Sequence, residues 1–219
     1  DTEILATAAA VRRLPEGFPE VRCANPSGLG AERSAELIDD LLDGARVVVC
    51  RILGGRRGWQ EGIDLLVERC RERDITLLTL GGEAEPDAEM TALATAPAGA
   101  VAQAGEYLRH GDVDNIEQLL RFVADTFLFE GYGFEPPAEV ADLGVYRRDA
   151  RVPGRPTIGF CFYRSHFLTG NTQFVDTFCD AVNAAGAGVF AVWSYSLRAD
   201  PEGRVAVLDL LDGEVDALV

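Results

Sequence analysis

Apolar positions along the chain follow two rhythms. RVVVCRIL (46–53) and ITLLTL (75–80) are near-continuous apolar runs, the pattern of parallel strands buried on both faces. Elsewhere apolar residues recur at helical spacing, which predicts helices over 2–14, 34–45, 59–74, 88–95, 98–111 and 113–129. Asp1 or Thr2 is placed to cap the first helix, and Ser34 the second, with Gly44 near its stop. FPEVRCANP (18–26) reads as a short strand closed by Asn-Pro. After a stretch punctuated by Gly and Pro, a second set begins. TIGFCFYR (157–164) predicts a strand, 173–186 a helix, AGVFAVWSY (187–195) a strand, 203–212 a short helix and VDALV (215–219) a last strand.

Strands alternating with helices imply an α/β fold of doubly wound parallel sheets. The expected organisation is two Rossmann-like or flavodoxin-like units, the second incomplete. Residues 1–135 form the first domain, 136–156 a linker or crossover, and 157–219 the start of the second domain. LGVYR (143–147) inside the linker is a candidate short strand. The first helix lacks the preceding strand this fold normally supplies, and VDALV ends without a turn or polar cap. A piece of a longer polypeptide is therefore expected.

Charge and composition narrow the function. The 219 residues carry a formal net charge of -16, which disfavours nucleic acid and anionic membrane surfaces as partners. No apolar stretch is long enough to span a bilayer, and no signal peptide opens the chain, so a cytoplasmic location is expected. The five cysteines form no C-x-x-C pair and read as reduced thiols. All 20 basic residues are arginine; without lysine there is no Walker A loop, so ATP is not expected to bind here. His110 and His166 are the only histidines, too few for a His-rich metal centre. G-x-S-x-G is absent, and GAGVFA (186–191) lies between helix and strand, the wrong order for a dinucleotide fingerprint.

Candidate binding residues cluster where strands end, the usual ligand edge of an open α/β sheet. In RILGGRRGW (51–59), Arg51 closes a strand, Gly54 and Gly55 permit close backbone approach, and Arg56 and Arg57 follow. Arginine forks pair bidentately with carboxylates. Ordinary exposed loop arginines are an equally good reading of Arg56 and Arg57. YRSHFLTGNT (163–172) repeats the layout, with Arg164 and His166 directed at a crevice and Gly170, Asn171 and Thr172 as a helix cap. LRHGDVDN (108–115) adds His110 and Asn115, although polar helix ends, with Asp112 or Asp114 as cap, are the plainer reading of that stretch. Glu83, Glu85, Asp87 and Glu89 suit either a hard cation or an acidic helix start.

These motifs, in order, resemble a family. PTIGFCFYRSHFLTGNTQFVDTFCDAVNAAGAGVFAVWSYSLR (156–198), preceded by FPEVRCANPSGL, RILGGRRGWQEGID, HGDVDN and GFEPP, is similar to the N-terminal region of the CobN-type large subunit of aerobic cobaltochelatase. The related large subunit of magnesium chelatase, which binds porphyrin, is the competing resemblance. The resemblance implies a subunit that binds the tetrapyrrole hydrogenobyrinic acid a,c-diamide and inserts Co2+, the substrate metal, for cobalamin biosynthesis. It implies ATP hydrolysis by separate AAA+ partners, CobS and CobT. It transfers no catalytic residue, and the fragment alone is not expected to chelate cobalt. On this reading Arg51, Arg56, Arg57 and Arg164 clamp rim carboxylates, and Asn115 and Asn171 serve rim amides. Gly54, Gly55, His110 and Thr172 complete the contacts, and His166 is a weak candidate cobalt ligand. The alternative is a structural or docking module of the large subunit.

Overall fold

The structure, a computed structural model, describes residues 2–83 and 85–219. Asp1, one of the two expected caps of the first helix, lies outside the described residues. The chain divides into two compact units, Glu3–Ala138 and Glu139–Val219.

The first unit is built on two parallel strands, β1 (Val47–Ile52) and β2 (Thr76–Gly81), in register from Val47 opposite Thr76 to Ile52 opposite Gly81. Alternation sends Leu78 and Leu80 to one face, against α1 (Thr2–Val11), α5 (Ala98–His110) and α6 (Val113–Val123). Leu77 faces the other way, toward α2 (Ala31–Leu42), α3 (Gln60–Glu72) and α4 (Ala88–Leu93). Helices on both faces explain why these strands read as unbroken apolar runs. Each fully buried leucine contributes about 1.5–3 kcal/mol. Within the second cluster, burial and the neighbouring Cys70 push the Cys50 thiol up to about 12, and burial pushes Cys70 to about 11. An unfolded chain releases these protons near pH 8.5. The folded state therefore binds more protons above that pH, and stability falls as pH rises. Denaturant midpoints should drop between pH 9 and pH 11, and less so in a Cys50→Ala, Cys70→Ala double variant; equal slopes in both proteins would contradict the burial argument.

Two expectations in this unit are corrected. Residues 18–26 form no strand. Arg22 instead donates to the carbonyl oxygens of Asp40 (3.0 Å) and Asp43 at the end of α2, and Asn25 Oδ1 accepts from Ser27 N (2.9 Å). Ser34 does not cap α2, which begins after Gly30. Its buried hydroxyl accepts from Trp59 Nε1 at 2.9 Å.

The second unit is a four-stranded sheet in the order β3-β5-β4-β6, from β3 (Leu143–Arg148), β4 (Thr157–Tyr163), β5 (Gly188–Ser194) and β6 (Ala217–Leu218). β4 is parallel to β5 and β6, while β3 runs antiparallel to β5. The sheet is thus mixed, and residues 143–148 are an edge strand of it. One face packs on α8 (Gln173–Ala184) through Phe162, Val175, Cys179, Val189 and Trp193. The other packs on α9 (Ala206–Asp209) and its extension through Phe190, Val192, Val207 and Leu211. A five-residue helix that the apolar pattern did not show, α7 (Arg164–Leu168), follows β4 directly.

Candidate functional site at the strand ends

In the first unit, β1 delivers Arg51 to its carboxyl end. The guanidinium pairs with Glu3 of α1 and donates to Gly82 O at 3.0 Å and Leu108 O at 3.5 Å. Arg51 therefore ties α1, the turn after β2 and the end of α5 together. It borders a cavity of about 500 Å³ beside the β1 edge that β2 does not occupy, between α1, residues 18–26 and α6.

The turn after β1 is shaped by glycine. Gly54 has φ +80°, and Gly55 lies so close to Asp87 that a Cβ would stand 2.3 Å from its Oδ2. Asp87 is the N-cap of α4, accepting from Met90 N at 3.0 Å. The acidic stretch is thus a helix start at this residue. Arg56 is forked onto Asp64 (3.0 Å to each oxygen) and reaches Glu89 at 3.2 Å; these bonds raise its already high pKa. Arg57 is exposed, with no ion pair among the described residues.

HGDVDN is a compact turn between helices. Gly111, at φ +64°, ends α5, and Asp112 caps α6 by accepting from Asn115 N at 2.9 Å. His110 is buried, its Nε2 3.1 Å from an Arg109 guanidinium nitrogen. Asn115 is 2% exposed. Its Nδ2 donates to Ala138 O (3.0 Å) while its Oδ1 accepts from Ala138 N (2.9 Å), as a neighbouring strand would. The same helix holds the GFEPP stretch along its length. Asp125, just past α6, accepts from Tyr132 N and Gly133 N at 2.7 Å each, and Gln118 accepts from Glu135 N at 2.8 Å. Phe122 meets Phe134 edge-on at 5.2 Å, and the Tyr107 hydroxyl donates to Glu135 O. Tyr107, Gln118 and Asp125 were not singled out from sequence. Their only signal was polar side chains placed every third or fourth residue beside apolar ones.

In the second unit Arg164 turns inward. It is 2% exposed and donates to Val140 O (3.1 Å), Ala141 O (3.0 Å) and Asp142 Oδ1 (3.0 Å), with its guanidinium 4.5 Å above the Tyr195 ring. The expectation that it faces a crevice is corrected: the buried guanidinium turns inward, and its Nη1 gathers two carbonyl oxygens and the Asp142 carboxylate. His166 is half-buried, its Nδ1 3.3 Å from Asn171 Nδ2 and its ring edge-on to Phe174 at 5.0 Å. Among the described residues no three His, Cys, Asp or Glu side chains converge as a metal site. Thr172 is the N-cap residue of α8, but no side-chain bond caps the helix. Asn171 is exposed and Gly170 adopts φ +69°. The predicted residues thus fall in both units: Arg51, Gly54, Gly55, Arg56, Arg57, His110 and Asn115 in the first, Arg164, His166, Asn171 and Thr172 in the second.

A family model described as CobN/Magnesium Chelatase matches residues 105–219. The chain belongs to this family. It is 31% identical over 211 residues to the aerobic cobaltochelatase subunit CobN of Pseudomonas aeruginosa, covering 90% of this chain and 17% of that protein. It is 26% identical to the CobN subunit of a Sinorhizobium species, with the same two coverages. The fold matches the catalytic subunit of cobaltochelatase from Mycobacterium tuberculosis with a TM-score of 0.61 and 35% identity, over 99% of this chain and 17% of that one. The chain thus spans about a sixth of these relatives. In this chain HGDVDN and GFEPP are structural devices: the first is the α5–α6 turn and the second the segment that α6 grips.

Proposed function

We propose that this chain is an N-terminal portion of the tetrapyrrole-binding large subunit of an ATP-dependent cobaltochelatase. That subunit inserts Co2+ into hydrogenobyrinic acid a,c-diamide in cobalamin biosynthesis, in the cytoplasm, with ATP hydrolysed by the AAA+ partners CobS and CobT. The observation that carries the reading is likeness to a cobaltochelatase catalytic subunit over 99% of the chain. Arg57, His166 and Asn171 are the proposed substrate contacts, because their side chains are at least partly open to solvent. Arg51, Arg56, His110, Asn115 and Arg164 support the loops, while Gly54, Gly55 and Thr172 shape them. The test is absorbance titration of the full-length subunit with hydrogenobyrinic acid a,c-diamide and, separately, with a porphyrin. The corrin precursor should bind at least about tenfold more tightly, a difference of ~1.4 kcal/mol. Tighter porphyrin binding would assign the chain to the magnesium branch.

One observation favours a second reading. Four of the predicted contacts, Arg51, Arg56, Asn115 and Arg164, already bond within their own unit. That fits a module that shapes the large subunit and docks its partners. A full-length Arg57→Ala, Asn171→Ala variant that binds tetrapyrrole normally but no longer assembles with the AAA+ subunits would select it.

A further inference from the structure

The second unit carries an arc of aromatic rings at the carboxyl ends of β4 and β5. Trp193, near the end of β5, is 6% exposed and lies across Gly144 of β3, where a Cβ would stand 2.5 Å from the indole. Phe167 of α7 stacks on this indole at 4.8 Å and 8°, yet remains 39% exposed. Trp193 covers one face of the Phe167 ring, so the exposure belongs to the rest of it. Tyr146 stands edge-on to both Phe167 (6.3 Å) and Phe162 (5.4 Å). Phe162 in turn meets Phe174 edge-on at 6.2 Å; Phe174 is 43% exposed and also meets Phe160 (6.4 Å) and His166 (5.0 Å) edge-on. Two partly bare rings are thus joined through a buried aromatic base. Arg164, buried three residues before Phe167, anchors the short helix that presents it.

We infer that this arc is a stacking face for the conjugated macrocycle of the tetrapyrrole, with His166 and Asn171 meeting its rim amides or carboxylates. The inference rests on the function proposed above and adds a place for the ring. The carboxyl ends of parallel strands are where α/β sheets hold ligands. A phenyl ring backed by a parallel indole is rigid and offers a flat apolar surface at little further loss of side-chain freedom. Among the described residues the arginines that lie over rings sit on Phe190 and Tyr195, outside this arc, so the arc itself is an apolar face suited to a flat ring system.

The experiment uses the full-length subunit and hydrogenobyrinic acid a,c-diamide, with dissociation constants from absorbance titration and melting temperatures for each variant. Phe167→Leu should weaken binding about tenfold, while Phe167→Tyr should stay within about twofold of wild type. Phe174→Leu should lose several-fold. Equal affinity of the Phe167→Leu and Phe167→Tyr variants overturns the inference. So does a lowered melting temperature with unchanged affinity, which would mean that the arc packs against another part of the subunit. A wild-type subunit that binds no tetrapyrrole overturns the proposed function, and the inference with it.

Discussion

Arg164→Ala is expected to cost the second unit about 3 kcal/mol of stability, read from chemical denaturation followed by aromatic fluorescence. The side chain is 3% exposed, while its carboxylate partner Asp142 is 63% exposed. Most of the loss therefore arises from the space left by the buried side chain and from its bonds to the Val140 and Ala141 carbonyls, not from the ion pair. The Tyr195 ring also loses its cation, adding about 0.5–2 kcal/mol. All three acceptors converge on one nitrogen, Nη1, so Arg164→Lys, whose ammonium also carries three donors, should recover part of the loss but not the flat stacking on Tyr195. The opposite outcome is equally definite. Unchanged stability with at least tenfold weaker tetrapyrrole binding by the full subunit would return Arg164 to the role of ligand clamp.

The sequence shows an arginine after a buried strand, and it does not show which way the fork points. That explains much of the difference between the expected and observed sites. Arg51 and Arg164 are the two positions where an arginine amid apolar neighbours promised a ligand. Both were satisfied by backbone carbonyls brought in from elsewhere in the chain, 31 and 24 residues away in the cases of Gly82 and Val140. Such bonds have no periodicity for a pattern to reveal. The failed strand at 18–26 has the same cause, since Arg22 holds the end of α2 in place of a ladder. By contrast, β1 and β2 were legible because burial on both faces writes itself as unbroken apolar runs. The helices α5 and α6 were legible from spacing, and their shared turn from Gly111 and Asp112. Ser34 illustrates the limit of a local rule: it has cap chemistry but is the fourth residue of the helix, where Trp59 claims its hydroxyl.

The turns after β1 and β2 depend on glycine more than on charge, and Gly82→Ala tests this. A Cβ at Gly82 would lie 2.6 Å from Leu53 Cα and 2.9 Å from Leu53 N. Both are backbone atoms, so no side-chain rotation relieves the contact. The two turns would have to separate, although Gly82 N donates to Ile52 O at 2.8 Å and Gly82 O accepts from Arg51 at 3.0 Å. Overpacking of this kind costs about 1–3 kcal/mol, and loss of either bond adds about 1 kcal/mol. We expect a total near 3 kcal/mol in the first unit, measured by denaturant unfolding. Gly99→Ala is the matched control: it lies in α5 with nothing within 4 Å of the new Cβ, and should be neutral or stabilising by up to about 1 kcal/mol. If the two variants were equally stable, the close approach of the turns would not exist. If Gly82→Ala alone is destabilised, the RILGGRRGW loop owes its shape to that approach. Arg57 at its surface can then be tested for substrate binding on a scaffold whose construction is understood.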